Sequence, residues 1–74
     1  MKRYLLDVVI EKDENGYFAH CPGLQGCYSQ GDTYEEALEN IRDAVKLNLE
    51  DRIASGEPAP TTQAISVTSL EVAL

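Results

Sequence analysis

The stretch Cys21-Pro-Gly-Leu-Gln-Gly-Cys-Tyr-Ser-Gln-Gly-Asp-Thr-Tyr-Glu-Glu-Ala-Leu-Glu-Asn-Ile-Arg-Asp-Ala-Val45 decides the fold. Pro22 and Gly23 break an extended segment and Gly26 permits a tight reversal, so Cys27–Gln30 reads as a strand that ends at Gly31. Thr33-Tyr34-Glu35-Glu36 is then a capping box. In it the Thr33 hydroxyl accepts the free N–H of Glu36, and the Glu36 carboxylate reaches back to the Thr33 N–H. Tyr34, Ala37, Leu38, Ile41, Val45, Leu49 and Ile53 recur at helical spacing, and Gly56 followed by Pro58 supplies the stop. Leu47 falls off this stripe, among Glu39, Asp43, Lys46 and Glu50 on the polar side.

Upstream, Tyr4, Leu6, Val8 and Ile10 share one face of an extended segment, with Leu5, Asp7, Val9 and Glu11 on the other. Asn15-Gly16 is a strong hairpin signal, because a type I′ turn requires positive φ at both central residues. Such a loop sets Tyr17 opposite Glu14, Ala19 opposite Lys12, His20 opposite Glu11 and Cys21 opposite Ile10. Downstream, Ile65 and Val67, then Leu70 and Val72, suggest a last strand with a phase change at Thr68-Ser69. The order β-β-β-α-β predicts an α+β domain over residues 1–74, an antiparallel meander with one packed helix and a returning strand. One helix covers one sheet face. With Tyr4, Leu6, Val8 and Ile10 beneath it, Leu5, Val9 and Phe18 are left on the open face, an apolar patch suited to a homo-oligomer contact.

The motif resembles the signature of HicB-type antitoxins, in which a proline-containing turn leads through Leu-x-Gly-Cys to a strand. In that family Gly-Asp-Thr then caps a helix beginning Glu-Glu-Ala, and the flanking strands of this sequence fit as well. The resemblance implies a partial ribonuclease H-like sheet and a role as antidote to HicA, a small basic ribonuclease toxin that uses a histidine. Family members often carry a DNA-binding domain after this one. The sequence stops at Leu74, so promoter binding is not expected of it.

Composition agrees with a protein-binding role. Thirteen acidic and 6 basic residues give a net charge of −7, which opposes binding to a phosphate backbone and speeds encounter with a basic protein. The exposed helix face with Glu36, Glu39, Asp43 and Leu47 is the expected partner-binding site. No apolar run approaches the roughly 20 residues that span a bilayer, and no secretory segment precedes Cys21 and Cys27, so a reducing cytoplasm is expected.

Catalytic and metal chemistry find little footing. A two-metal nuclease needs converging carboxylates, whereas Asp7, Glu39, Asp43 and Glu71 are scattered over different elements and faces. His20 lacks an orienting partner for acid–base work, and a cross-strand pair with Glu11 gives it a plain structural role. Cys21, Cys27 and one histidine fall short of the four ligands of structural zinc. The two thiols can pair across the hairpin or pack as small apolar groups, and a reducing cytosol favours packing. No catalytic residue, metal or cofactor is expected. The readings that remain are an antitoxin-like binding protein and a solitary oligomeric module of the same fold without a toxin.

Overall fold

The computed structural model describes residues 3–60 and 66–74. Three strands, β1 (Val9–Asp13), β2 (Gly16–His20) and β3 (Tyr28–Gly31), precede one helix, α1 (Tyr34–Ala54). The strands form one antiparallel sheet in the order β1-β2-β3. This is the expected α+β meander with a helix laid across one face. Its core joins Ala19, Cys21, Leu24, Cys27, Ile41 and Leu49, with Leu6, Val8, Ile10, Leu38 and Val45 packed around them.

The β1–β2 hairpin has a different register from the expected one. Asp13 pairs with Gly16, Lys12 with Tyr17, Ile10 with Ala19 and Val9 with His20. Positive φ is absent from every non-glycine residue among those described, while Gly16 has φ 133°, so the type I′ turn centred on Asn15-Gly16 does not form. The loop is Glu14-Asn15 instead. The Asn15 N–H donates to Asp13 Oδ1 at 2.7 Å, a side-chain bond that holds the reversal one residue earlier. The slip amounts to two residues across the pair, and because strand side chains alternate with period 2, each residue keeps its face. Ile10, Tyr17, Ala19 and Cys21 therefore remain on the helix side.

Cys21 and Cys27 close the loop between β2 and β3. The Cys21 N–H donates to the Cys27 carbonyl at 3.1 Å and the Leu24 N–H to the Cys21 carbonyl at 3.0 Å. This winding sends Leu24 inward, where it is 1% exposed. Both thiols are free and buried, as packing would have them.

At the start of α1, Thr33 is the N-cap, its hydroxyl accepting from the Glu36 N–H at 3.0 Å. Glu35 and Glu36 lie in the first turn, where carboxylates complement the positive end of the helix dipole. At the other end the Gly56 N–H bonds the Ile53 carbonyl and the Glu57 N–H bonds the Arg52 carbonyl, the paired bonds of a Schellman stop. Ala37, Ile41 and Leu49 are buried on α1, but Tyr34 and Ile53, at the two ends of the expected stripe, are about half exposed. Length explains this. A helix of 21 residues runs about 31 Å, whereas strands of five residues run about 17 Å, so the helix overhangs the sheet.

The returning strand is absent from the described residues that were to form it. Val67, Leu70 and Val72 are exposed and residues 66–74 carry no strand; Ile65 lies outside the described residues. Alternation shows that a segment can pair but not with what, and among the described residues the sheet ends at β1.

Candidate protein-binding surfaces

Two surfaces present side chains suited to protein contact. The first is the outer face of α1. Glu36, Glu39, Asp43 and Leu47 follow one another at spacings of three and four residues, so they form a single stripe along the helix. All four are exposed, and Leu47 stands 69% exposed between carboxylates. This is an acidic strip about one apolar residue, on the side of the helix away from the core.

The second is the open face of the sheet. Phe18 is 38% exposed and Val9 half-buried there, whereas Leu5, 79% exposed, lies four residues before β1, because the first strand runs Val9–Asp13 and the expected strand positions from Tyr4 to Val8 carry no strand. The pairing His20↔Tyr28 adds two rings that sequence reasoning did not assign to this patch. Their centroids are 6.2 Å apart, so the lone histidine rests against an exposed tyrosine and is opposite Val9, not Glu11. The expected His20–Glu11 pair is thereby replaced. Alternation within β3 would have revealed Tyr28, since Ser29 and Gly31 face the helix and Tyr28 and Gln30 face away.

The first surface depends on how closely α1 sits on β3. A Cβ placed on Gly31 would stand 2.5 Å from the Ala37 backbone nitrogen and 2.9 Å from the Glu36 carbonyl carbon. Gly31 is thus required by the approach of the helix backbone rather than by a turn. Asn40 Nδ2 donates to the Gln30 carbonyl at 2.7 Å, tying the helix to the same strand. Neither residue stood out in the sequence for this role.

The remaining reactive groups are not assembled. Asp7, Glu39, Asp43 and Glu71 are each exposed, and among the described residues no group of three or more His, Cys, Asp or Glu side chains is placed to hold a metal ion. Burial pushes the Cys27 thiol up from its ordinary value, with Cys21 adding to the shift. Such a thiol favours its neutral form and is a poor nucleophile. Among the described residues no helix is long and apolar enough to cross a membrane.

With this geometry in place, comparison with known proteins is informative. The family model described as the HicB_like antitoxin of bacterial toxin-antitoxin system matches residues 6–72. A UPF0150 protein of Helicobacter pylori is 64% identical over 47 residues, covering 64% of this chain and 65% of that protein. A UPF0150 protein of Synechocystis is 50% identical over 58 residues, covering 77% of this chain and 73% of the relative. Among solved structures, a chain of a HicA3 and HicB3 toxin-antitoxin complex superposes with a TM-score of 0.60 at 25% identity, covering 76% of this chain and 65% of that one. The matched region thus spans just under two thirds of the Helicobacter protein and of the chain in the complex.

Proposed function

Because this chain belongs to the HicB-like antitoxin family, we propose that it is a non-catalytic antidote, a single domain over residues 1–74 that neutralises a small basic HicA-type ribonuclease toxin in the cytoplasm by covering it. The family match over residues 6–72 carries this reading, and the likeness to a chain from a HicA3 and HicB3 complex supports it.

The toxin-facing surface in this proposal is the acidic stripe Glu36, Glu39, Asp43 and Leu47. A net charge of −7 steers a basic partner toward the domain, and a stripe with carboxylates around an apolar centre matches the usual division of labour at interfaces. Rim charges govern the rate of encounter, and the desolvated apolar anchor governs residence. Leu5, Val9 and Phe18 on the open sheet face are the proposed contact between copies of the chain.

The test is to read the adjacent open reading frame for a small basic HicA-type protein and co-express it with this chain, followed by copurification and binding kinetics. Glu39→Lys with Asp43→Lys should slow association and flatten its salt dependence, and Leu47→Ala should speed dissociation. Unchanged kinetics in both variants would remove the helix stripe from the interface and point to the open sheet face. Failure of the wild-type chain to copurify would count against the antitoxin role itself.

A further inference from the structure

Asn15-Gly16 sits at the tip of the β1–β2 hairpin, and the Asn15 side chain has no structural task there. The backbone N–H of Asn15 holds the turn by donating to Asp13 Oδ1 at 2.7 Å, whereas its carboxamide is exposed and makes no hydrogen bond among the described residues. The other asparagines, Asn40 and Asn48, are placed differently. Asn40 Nδ2 donates to the Gln30 carbonyl at 2.7 Å, and Asn48 Oδ1 accepts from Arg52 Nε at 3.4 Å. Each is followed inside α1 by a branched apolar residue, Ile41 at 1% or Leu49 at 9% exposure, whose backbone N–H is bound in the helix ladder. After Asn15 comes Gly16, with no side chain to shield its nitrogen. The pair Asp13↔Gly16 closes the ladder, at the hairpin end where local opening is easiest. The fold also holds the glycine in place. A Cβ on Gly16 would stand 3.0 Å from the Gly31 carbonyl oxygen, and its φ of 133° is one that side chains rarely adopt.

We propose that Asn15 is a site of covalent modification, deamidating spontaneously through a cyclic imide with Gly16. The Gly16 nitrogen forms a bond to Asn15 Cγ, the Cγ–Nδ2 bond breaks, and Nδ2 leaves as ammonia with the proton lost from the Gly16 nitrogen. One water then opens the imide. Attack at Cγ leaves an aspartate, and attack at the Asn15 backbone carbonyl leaves an isoaspartate, whose main chain runs through Cβ and Cγ. No electron is transferred, and the net change is one water taken up and one ammonia released. Gln25-Gly26 and Gln30-Gly31 are poorer substrates, because the longer glutamine side chain must close a larger, less favoured ring. Either product adds a carboxylate beside Asp13 and Glu14, at a cleft of about 350 Å³ that Asn15 lines together with Asp32 and Glu36. Isoaspartate also lengthens the two-residue loop by one backbone atom, which moves Gly16 out of its pairing with Asp13. The modified chain is therefore more acidic and looser at the hairpin. None of this depends on the toxin reading.

Ageing the purified whole chain in warm, mildly alkaline buffer tests the proposal. The intact mass should rise by one unit, and peptide mapping should place the change at Asn15 with Asn40 and Asn48 intact. An isoaspartyl methyltransferase should transfer methyl groups to the aged chain and not to the fresh one. Asn15→Gln should lose both signals. Aged wild type should unfold at lower urea than fresh wild type, and freshly prepared Asn15→Asp, which carries the charge on a loop of normal length, should keep more of the original midpoint. An unchanged mass would overturn the proposal, as would a mass gain that persists in Asn15→Gln or appears equally at Asn40 or Asn48. Equal midpoints for aged and fresh chains, or an equal loss in Asn15→Asp, would overturn the part played by the lengthened loop.

Discussion

Gly31→Ala should be the most damaging single-methyl change in this domain. The added Cβ would stand 2.5 Å from the Ala37 nitrogen, 2.9 Å from the Glu36 carbonyl carbon and 3.0 Å from the Ala37 Cα, all of them backbone atoms. Non-bonded atoms reach their optimum near 3.5–4.0 Å, so the first turn of α1 must retreat by about 1 Å. No side chain can rotate aside to relieve the clash. Inserting a methyl into a packed interface costs about 1–3 kcal/mol. The same retreat draws Glu36 from Thr33, a cap bond of 3.0 Å whose loss costs about 1 kcal/mol. A total of about 2–4 kcal/mol follows, against roughly 3–5 kcal/mol available to a core of this size. Most of the domain's stability is lost. Urea titration followed by circular dichroism measures this directly, with Gly23→Ala as the control, because its Cβ would meet Leu6 Cδ2 at 3.8 Å and Pro60 at 3.9 Å, ordinary contacts. Gly23→Ala should be neutral or stabilising by up to about 1 kcal/mol. A wild-type midpoint for Gly31→Ala, or an equal loss in the control, would refute the close-approach argument.

Thr33→Ala should lower stability by about 1 kcal/mol, the usual value of an N-cap hydroxyl, read as a shift in urea midpoint with unchanged slope. Leu24→Ala should cost about 2–5 kcal/mol, as for other fully buried leucines, and an unshifted midpoint would show that the Pro22–Gly26 loop does not anchor the core. Burial raises the Cys27 thiol above its unfolded value, so the native state favours the neutral form. That contribution is fully present below the unfolded pKa and is lost as pH rises through the folded one. Stability measured from pH 8 upward should therefore fall through the thiol range, and Cys27→Ala should remove that part of the fall.

Much of this architecture was legible in the sequence because local and long-range signals agreed. Thr33 and Glu36 marked the start of α1, the apolar spacing marked its inner face, and the alternation around Asn15 marked the hairpin, although the first strand begins at Val9 and not at Tyr4. The elements that differ were decided by contacts with no local signature. The Asp13 carboxylate moved the hairpin loop to Glu14-Asn15, a side-chain choice that a turn dipeptide does not reveal. Leu24 sits in a glycine-rich loop whose inward path comes from the hydrogen bonds between Cys21, Leu24 and Cys27. Gly31 reads as a turn residue until the helix backbone is seen against it. The alternation of residues 65–72 read as a fourth strand, but alternation says only that a segment can pair, not with what. For the candidate site, the helix stripe could be placed from spacing alone, whereas Tyr28 and His20 on the open face required the β2–β3 register.

The central claim is neutralisation of a toxin, and growth rescue measures it most directly. A small basic HicA-type protein, where one is encoded beside this chain, should arrest growth when induced alone, and inducing this chain in step with it should restore growth in proportion to the ratio of the two. Mixed in vitro, the chain should suppress the partner's ribonuclease activity at a fixed stoichiometry. A neighbouring protein that is not toxic, or one whose arrest and ribonuclease activity persist in excess of this chain, would contradict the account.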